Sequence, residues 1–218
     1  MKKLSKGILI ALEGGEGCGK STMVKELKEF YENNGYKVLT VREPGGVPVS
    51  EKIRNVMLYN EMDAMTELFL LAASRHELIK NVVKPALKEG YIVIMDRYLD
   101  STYAYQGLVK GVNFFKIKEV MDIATNYLYP DVSIIIDVHP EVGLRRVADE
   151  NHEKNKNDVA PLEFNKKINE AYNLILFDKG ACSTYSRHMV DGNYAKDEVF
   201  RDILDIVDRI VKENEVNE

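Results

Sequence analysis

ILIALEGGEGCGKS, Ile8 to Ser21, is the stretch that decides the fold. An apolar run from Ile8 to Leu12 ends at Glu13, and a glycine-rich loop from Gly14 to Ser21 fits G-x-x-x-x-G-K-S/T. Beyond it Met23, Val24, Leu27, Phe30 and Tyr31 recur at helical spacing and stop before Gly35, a helix-ending residue. The motif requires this strand–loop–helix context. Gly14, Gly15, Gly17 and Gly19 let the backbone curl, so that its N–H groups, through Glu16 and Cys18 to Thr22, converge on a phosphate at a helix N-terminus. Lys20 adds a flexible charge for the outer phosphates, and the Ser21 hydroxyl is a ligand for Mg²⁺. The stretch implies binding of a nucleoside triphosphate.

Working outward, four more apolar runs follow: Lys37–Val41, Tyr91–Met95, Val132–Ile136 and Tyr185–Val190. Runs apolar on both faces suit parallel strands covered by helices on both sides. Segments of helical period lie at Met65–Lys88, Asn113–Tyr127, Pro140–Asn151, Leu162–Phe177 and Glu198–Val211. The alternation predicts one doubly wound α/β domain over residues 1–218, a three-layer α/β/α sandwich on a five-stranded parallel sheet. The polar stretch Asn151–Ala160 is expected to be a mobile lid, bounded approximately by residues 146–162. Asp96 closes the third run with a carboxylate suited to the hydration shell of Mg²⁺. Arg97 follows it into the crevice, where its fork suits a second phosphate.

Composition narrows the class. The chain has 218 residues, 45% apolar and 30% charged, enough for one sizeable core. Thirty basic against 35 acidic side chains leave a formal charge of −5, which disfavours nucleic acid as a partner. Cys18 and Cys182 make no disulfide framework and carry no metal-ligand spacing. The N-terminal apolar run is too short for a signal core, and no stretch approaches a membrane span. The expectation is a reduced, soluble, cytoplasmic protein without a membrane partner.

The motifs EGGEGCGKST, REPGG, SEKIR, LLAASRHELI and DRYLDSTYAYQG resemble the bacterial-type thymidylate kinases, P-loop nucleoside monophosphate kinases, and the likeness runs over nearly the whole chain. The resemblance implies transfer of the γ-phosphoryl of ATP to dTMP with Mg²⁺, giving dTDP, in a homodimer. It implies that Arg97 and Arg54 hold the acceptor phosphate and that Glu16 contacts the sugar 3′-hydroxyl. Glu43 and Pro44 would line the nucleotide cleft, Tyr105 would crowd the 2′ position, and Arg75, Thr102 and Gln106 would surround the base. Arg146 is expected near ATP. Lys20, Asp96 and Arg97 form the implied catalytic set, with Ser21 and Asp96 on the metal.

Two positions depart from the family pattern. Leu71 stands where a phenylalanine usually stacks on thymine, and Phe69, two residues away, faces another side of the helix. This leaves dUMP, dGMP or a modified pyrimidine open beside dTMP. Lys156 stands where the lid usually carries an arginine; it can neutralise charge but cannot form the bidentate fork. Asn155–Asp158 also fits N-K-x-D, the guanine-reading motif of a GTP switch. It follows polar residues rather than a buried strand, however, and no D-x-x-G follows Asp96. A non-catalytic nucleotide-binding protein gives no reason to gather Lys20, Arg54, Asp96 and Arg97.

Overall fold

A computed structural model describes residues 2–149, 160–178 and 184–216. Five parallel strands form one sheet in the order β2-β3-β1-β4-β5: β1 (Ile8–Glu13), β2 (Val38–Arg42), β3 (Ile92–Asp96), β4 (Val132–Asp137) and β5 (Ser186–Asp191). All six residues of β1 are buried. Their alternation builds both cores. Leu9 and Ala11 join Val93, Met95 and Ile135 on one face, whereas Ile8, Ile10 and Leu12 join Ile92, Ile94, Ile134 and Ile136 on the other. A central strand covered twice is apolar at nearly every position, which is why these runs read as continuous.

The helices are α1 (Lys20–Asn33), α2 (Pro48–Tyr59), α3 (Ala64–Leu78), α4 (Lys84–Lys88), α5 (Leu99–Thr102), α6 (Phe114–Thr125), α7 (Pro140–Asp149), α8 (Leu162–Phe177) and α9 (Lys196–Glu213). α1 and α9 cover one face, with Met23, Leu27 and Tyr31 against Val199, Ile203, Val207 and Val211. α3, α6 and α8 cover the other. The helix expected over Met65–Lys88 is continuous but not uniform. A π-helical turn, Ile79–Val83, joins α3 to α4, where Pro85 lacks an N–H to donate back. A second π-helical turn, Tyr103–Val109, extends α5.

Two helices escape the periodicity reading. α2 fully buries only Ser50 and Met57 and turns Val49, Val56 and Tyr59 to solvent. Leu99–Gly107 is buried on every side, so no stripe can be told apart there. The candidate lid residues 150–159, Lys156 included, lie outside the described residues, as does Cys182. Among the described residues, no helix is long and apolar enough to cross a membrane.

Candidate active site

The carboxyl ends of β1, β2 and β3 bring the site together, at the place where the chain leaves β1 toward β2 while β4 and β5 lie on its other side. α1 begins after Gly19, a left-handed residue. It has no side-chain cap and no acidic residue in its first turn, so its leading N–H groups face the loop unopposed. Gly17 also has positive φ, and a Cβ there would fall within the Gly143 carbonyl of α7; a Cβ on Gly143 would meet the Glu16 carbonyl. The loop is therefore clamped backbone to backbone against α7. Only the glycines on either side permit that approach.

Lys20 is buried and donates to the carbonyls of Gly14 (3.0 Å) and Gly15 (2.8 Å), with Cys18 Sγ at 3.4 Å. Cys18 is buried filler under the loop. Ser21 Oγ donates to Asp96 Oδ2 at 2.8 Å, so the loop hydroxyl and the strand-end carboxylate are adjacent. A cleft of about 1230 Å³ is lined by Gly17, Gly19, Lys20, Ser21, Thr22 and Asp96, and by Glu16, Arg54 and Arg97. Arg146 donates to the carbonyls of Gly17 (3.4 Å) and Gly192 (3.3 Å). It borders a further cavity with Cys18, Gly19, Thr22, Tyr194 and Lys196. Tyr194 and Lys196 carry no motif, and the sequence reading missed them.

A second cavity of about 740 Å³ opens beside the loop. Its wall takes Glu16 from the loop, Glu43 and Pro44 after β2, and Arg54 from α2. Leu71 and Arg75 come from α3, Arg97 from the end of β3, and Tyr105 and Gln106 from the turn after α5. Met57, Leu58, Glu67 and Ser101 also line it and were not anticipated. Thr102 does not: it is fully buried, and its Oγ1 accepts from Arg75 Nη1 at 3.0 Å, supporting the arginine from behind. Phe69 is 56% exposed, on a different side of α3 from Leu71.

Arg97 holds φ at 71°, a left-handed conformation costly for a side chain of this kind and found where surrounding contacts enforce it. Its N–H donates to Leu12 O (2.9 Å), and Nη1 donates to Gly14 O (3.0 Å). Nη2 pairs with Glu16 Oε1 at 2.8 Å, and the guanidinium lies over the Tyr105 ring at 5.2 Å. Burial opposes its charge, but Glu16 and the neighbouring tyrosine oxygens raise its pKa well above the ordinary value, so it stays cationic. Burial likewise works against the Glu16 carboxylate, and Arg97 and Lys20 outweigh it, lowering its pKa. Arg54 Nη1 donates to Pro44 O at 2.9 Å. Burial and Arg42 lower the Arg54 pKa.

At the far end Arg75, 1% exposed, bonds Glu43 Oε2 (2.6 Å), Thr102 Oγ1 and the Tyr98 carbonyl (2.8 Å). Burial pushes the Glu43 carboxyl up to about 7 against the pull of Arg75. Among the described residues, Glu43 Oε1 has no hydrogen-bond partner. Gln106 Nε2 donates to Glu67 Oε1 at 2.9 Å, and Lys110 pairs with Glu67 Oε2 at 2.5 Å. The cavity thus carries the Arg54 and Arg97 guanidinium groups at one end and an apolar patch with a polar rim at the other. That is the shape and charge for a small anionic ligand with a flat, polar-edged body.

Comparison with known proteins points to one family. The Thymidylate kinase family profile matches residues 12–203. The thymidylate kinase of Bacillus pumilus is 36% identical over 214 residues, covering 96% of this chain and 99% of that protein. That of Clostridium novyi is 37% identical over 206 residues (92% and 98%), and that of a Thermoanaerobacter strain 38% over 204 residues (93% and 98%). With so similar a sequence extending from the phosphate loop to the last helix, the chain belongs to the thymidylate kinase family.

Proposed function

We propose that this chain transfers the γ-phosphoryl group of ATP to the phosphate of dTMP, giving dTDP and ADP. One observation carries the reading. Glu16, Glu43, Arg54, Leu58 and Arg97 line both the cleft at the loop and the second cavity, so the two spaces share a wall that includes Arg54 and Arg97. A triphosphate on the loop and a monophosphate in the second cavity then approach end to end, and positioning with charge neutralisation suffices for in-line transfer.

Lys20 exchanges the loop carbonyls for the outer phosphates of ATP, which the loop amides from Gly14 to Thr22 cradle. Arg54 and Arg97 take the acceptor phosphate. Glu16 exchanges its bond to Arg97 for the sugar 3′-hydroxyl, and Tyr105 closes the 2′ side. Arg75, Gln106 and Leu71 surround the base, with Thr102 acting through Arg75. The cavity bordered by Arg146, Tyr194 and Lys196 receives the donor base. Ser21 Oγ and Asp96 Oδ2 fit Mg²⁺, which takes oxygen ligands and keeps several waters and phosphate oxygens of its own. When bound, the ion neutralises charge gathering on the phosphate oxygens. Lys156 supplies a lid cation, and the lid excludes water that would otherwise hydrolyse ATP.

The chain acts in the cytoplasm as a homodimer, a reading supported by the family and by the exposed Phe69, Phe115 and Ile123 on α3 and α6. ADP release measured with ATP and a panel of ribo- and deoxyribonucleoside monophosphates tests the reaction. Turnover that requires an acceptor and is fastest with dTMP is expected. ADP release that ignores the acceptor contradicts it.

A further inference from the structure

Behind Arg97 lies a buried hydrogen-bond chain that the reaction itself does not use. Glu13, fully buried at the end of β1, accepts at both oxygens: Oε1 from the Tyr98 N–H (2.8 Å), Oε2 from Ser101 Oγ (2.5 Å) and from the Tyr172 hydroxyl (3.2 Å). Ser101 Oγ and the Tyr172 hydroxyl are 2.8 Å apart, and Arg97 Nη1 reaches them at 3.2 and 3.4 Å. Asp100, next to Ser101, is fixed by Ser133 (2.6 Å), Tyr185 (2.6 Å) and Arg187 (2.9 Å), which anchor the start of α5 to β4 and β5. We propose that Glu13, Ser101 and Tyr172 are positioning residues that aim the Arg97 guanidinium at the acceptor phosphate. The inference rests on the reaction proposed above.

Proton direction links these groups. A serine hydroxyl has one proton and two lone pairs. Glu13 takes the Ser101 proton, which leaves one Ser101 lone pair for Arg97 Nη1, while the single Tyr172 proton is shared between Glu13 Oε2 and the other Ser101 lone pair. The same carboxylate binds the N–H that follows Arg97, where the left-handed backbone must be held. One group therefore fixes both the main chain after Arg97 and one tip of its fork. Burial and Asp100 raise the Glu13 pKa against the pull of Ser101, Arg97 and the Tyr98 N–H. Tyr172 brings in α8, the helix that follows residues 150–159, and so ties the acceptor clamp to an element beyond the sheet.

Steady-state kinetics of Ser101→Ala, Tyr172→Phe and Ser101→Thr with ATP and dTMP test this. Tyr172→Phe keeps the ring and removes only the hydroxyl. The KM for dTMP is expected to rise about tenfold in Ser101→Ala and about threefold in Tyr172→Phe, the scale of one lost hydrogen bond to a charged group, with the KM for ATP moving less than about twofold. Ser101→Thr, which restores the hydroxyl, should recover most of the loss. An unchanged KM for dTMP overturns the proposal. So does a parallel change in both KM values that follows the unfolding midpoint, which marks a purely structural role. A wild-type chain that fails to phosphorylate dTMP overturns the proposed reaction instead.

Discussion

The donor loop and the acceptor cavity adjoin, yet they are built by opposite means. The loop is eight consecutive residues, and its chemistry is mostly main chain: amides at a helix start, glycines where backbone meets backbone, one lysine. The acceptor cavity draws side chains from the loop, from the ends of β2 and β3, from α2, α3 and the turn after α5, and two ion pairs, one buried and one half-buried, hold them in place. A backbone site is specified locally and fails through sterics. A side-chain site is specified by the whole fold, and its parts can be lost one at a time. Gly14 O joins the two, since it accepts from both Lys20 and Arg97.

The largest effect should come from Gly17→Ala. A methyl there collides with Gly143 and is strained at φ 68°, so the loop must move. Turnover should fall by about 1000-fold or more and ATP binding should weaken with it, as calorimetric titration would register. Arg97→Ala strikes the other region. kcat/KM for dTMP should fall by about 100-fold or more while ATP affinity stays within about threefold. Loss of ATP binding would assign that arginine to the wrong nucleotide and erase the contrast.

A third expectation concerns the buried pair at the base end. The folded chain holds the Glu43 proton more tightly than an ordinary carboxyl does, since burial raises it from 4.5 to about 7. The stability this group contributes is complete below about pH 4.5 and is lost as pH rises to about 7, on the order of 2–3 kcal/mol. Urea unfolding across that window should show the decline, and Glu43→Gln should flatten part of it. An unaltered slope would mean that Arg75 keeps Glu43 ionised throughout. The smallest effect is Leu71→Phe: an aromatic at the cavity wall should tighten dTMP by about fivefold, near 1 kcal/mol of offset stacking. Unchanged or weaker binding would place the base away from Leu71.

What could be read from the sequence follows the same division. The loop was legible because its residues are consecutive and their spacing is dictated by phosphate geometry. β1, β3 and β4 were legible because two-sided burial demands nearly unbroken apolar runs. α2 was not, since it presents Val49, Val56 and Tyr59 to solvent and buries a serine. The acceptor side chains became candidates through family resemblance, because nothing in the spacing of Glu43, Arg75 and Gln106 says that they face one cavity. Glu13 read only as the residue ending a strand. Its partnership with Tyr172 spans 159 positions and exists only after folding. The choice of base, left open by Leu71, is narrowed by membership of the family rather than by any single contact.

A crystal structure of the chain with dTMP and a non-hydrolysable ATP analogue measures the central claim most directly. The account predicts the triphosphate on the Gly14–Ser21 loop and the dTMP phosphate between Arg54 and Arg97, in line with its terminal phosphorus. A monophosphate bound outside that cavity, or facing away from the triphosphate, would contradict it.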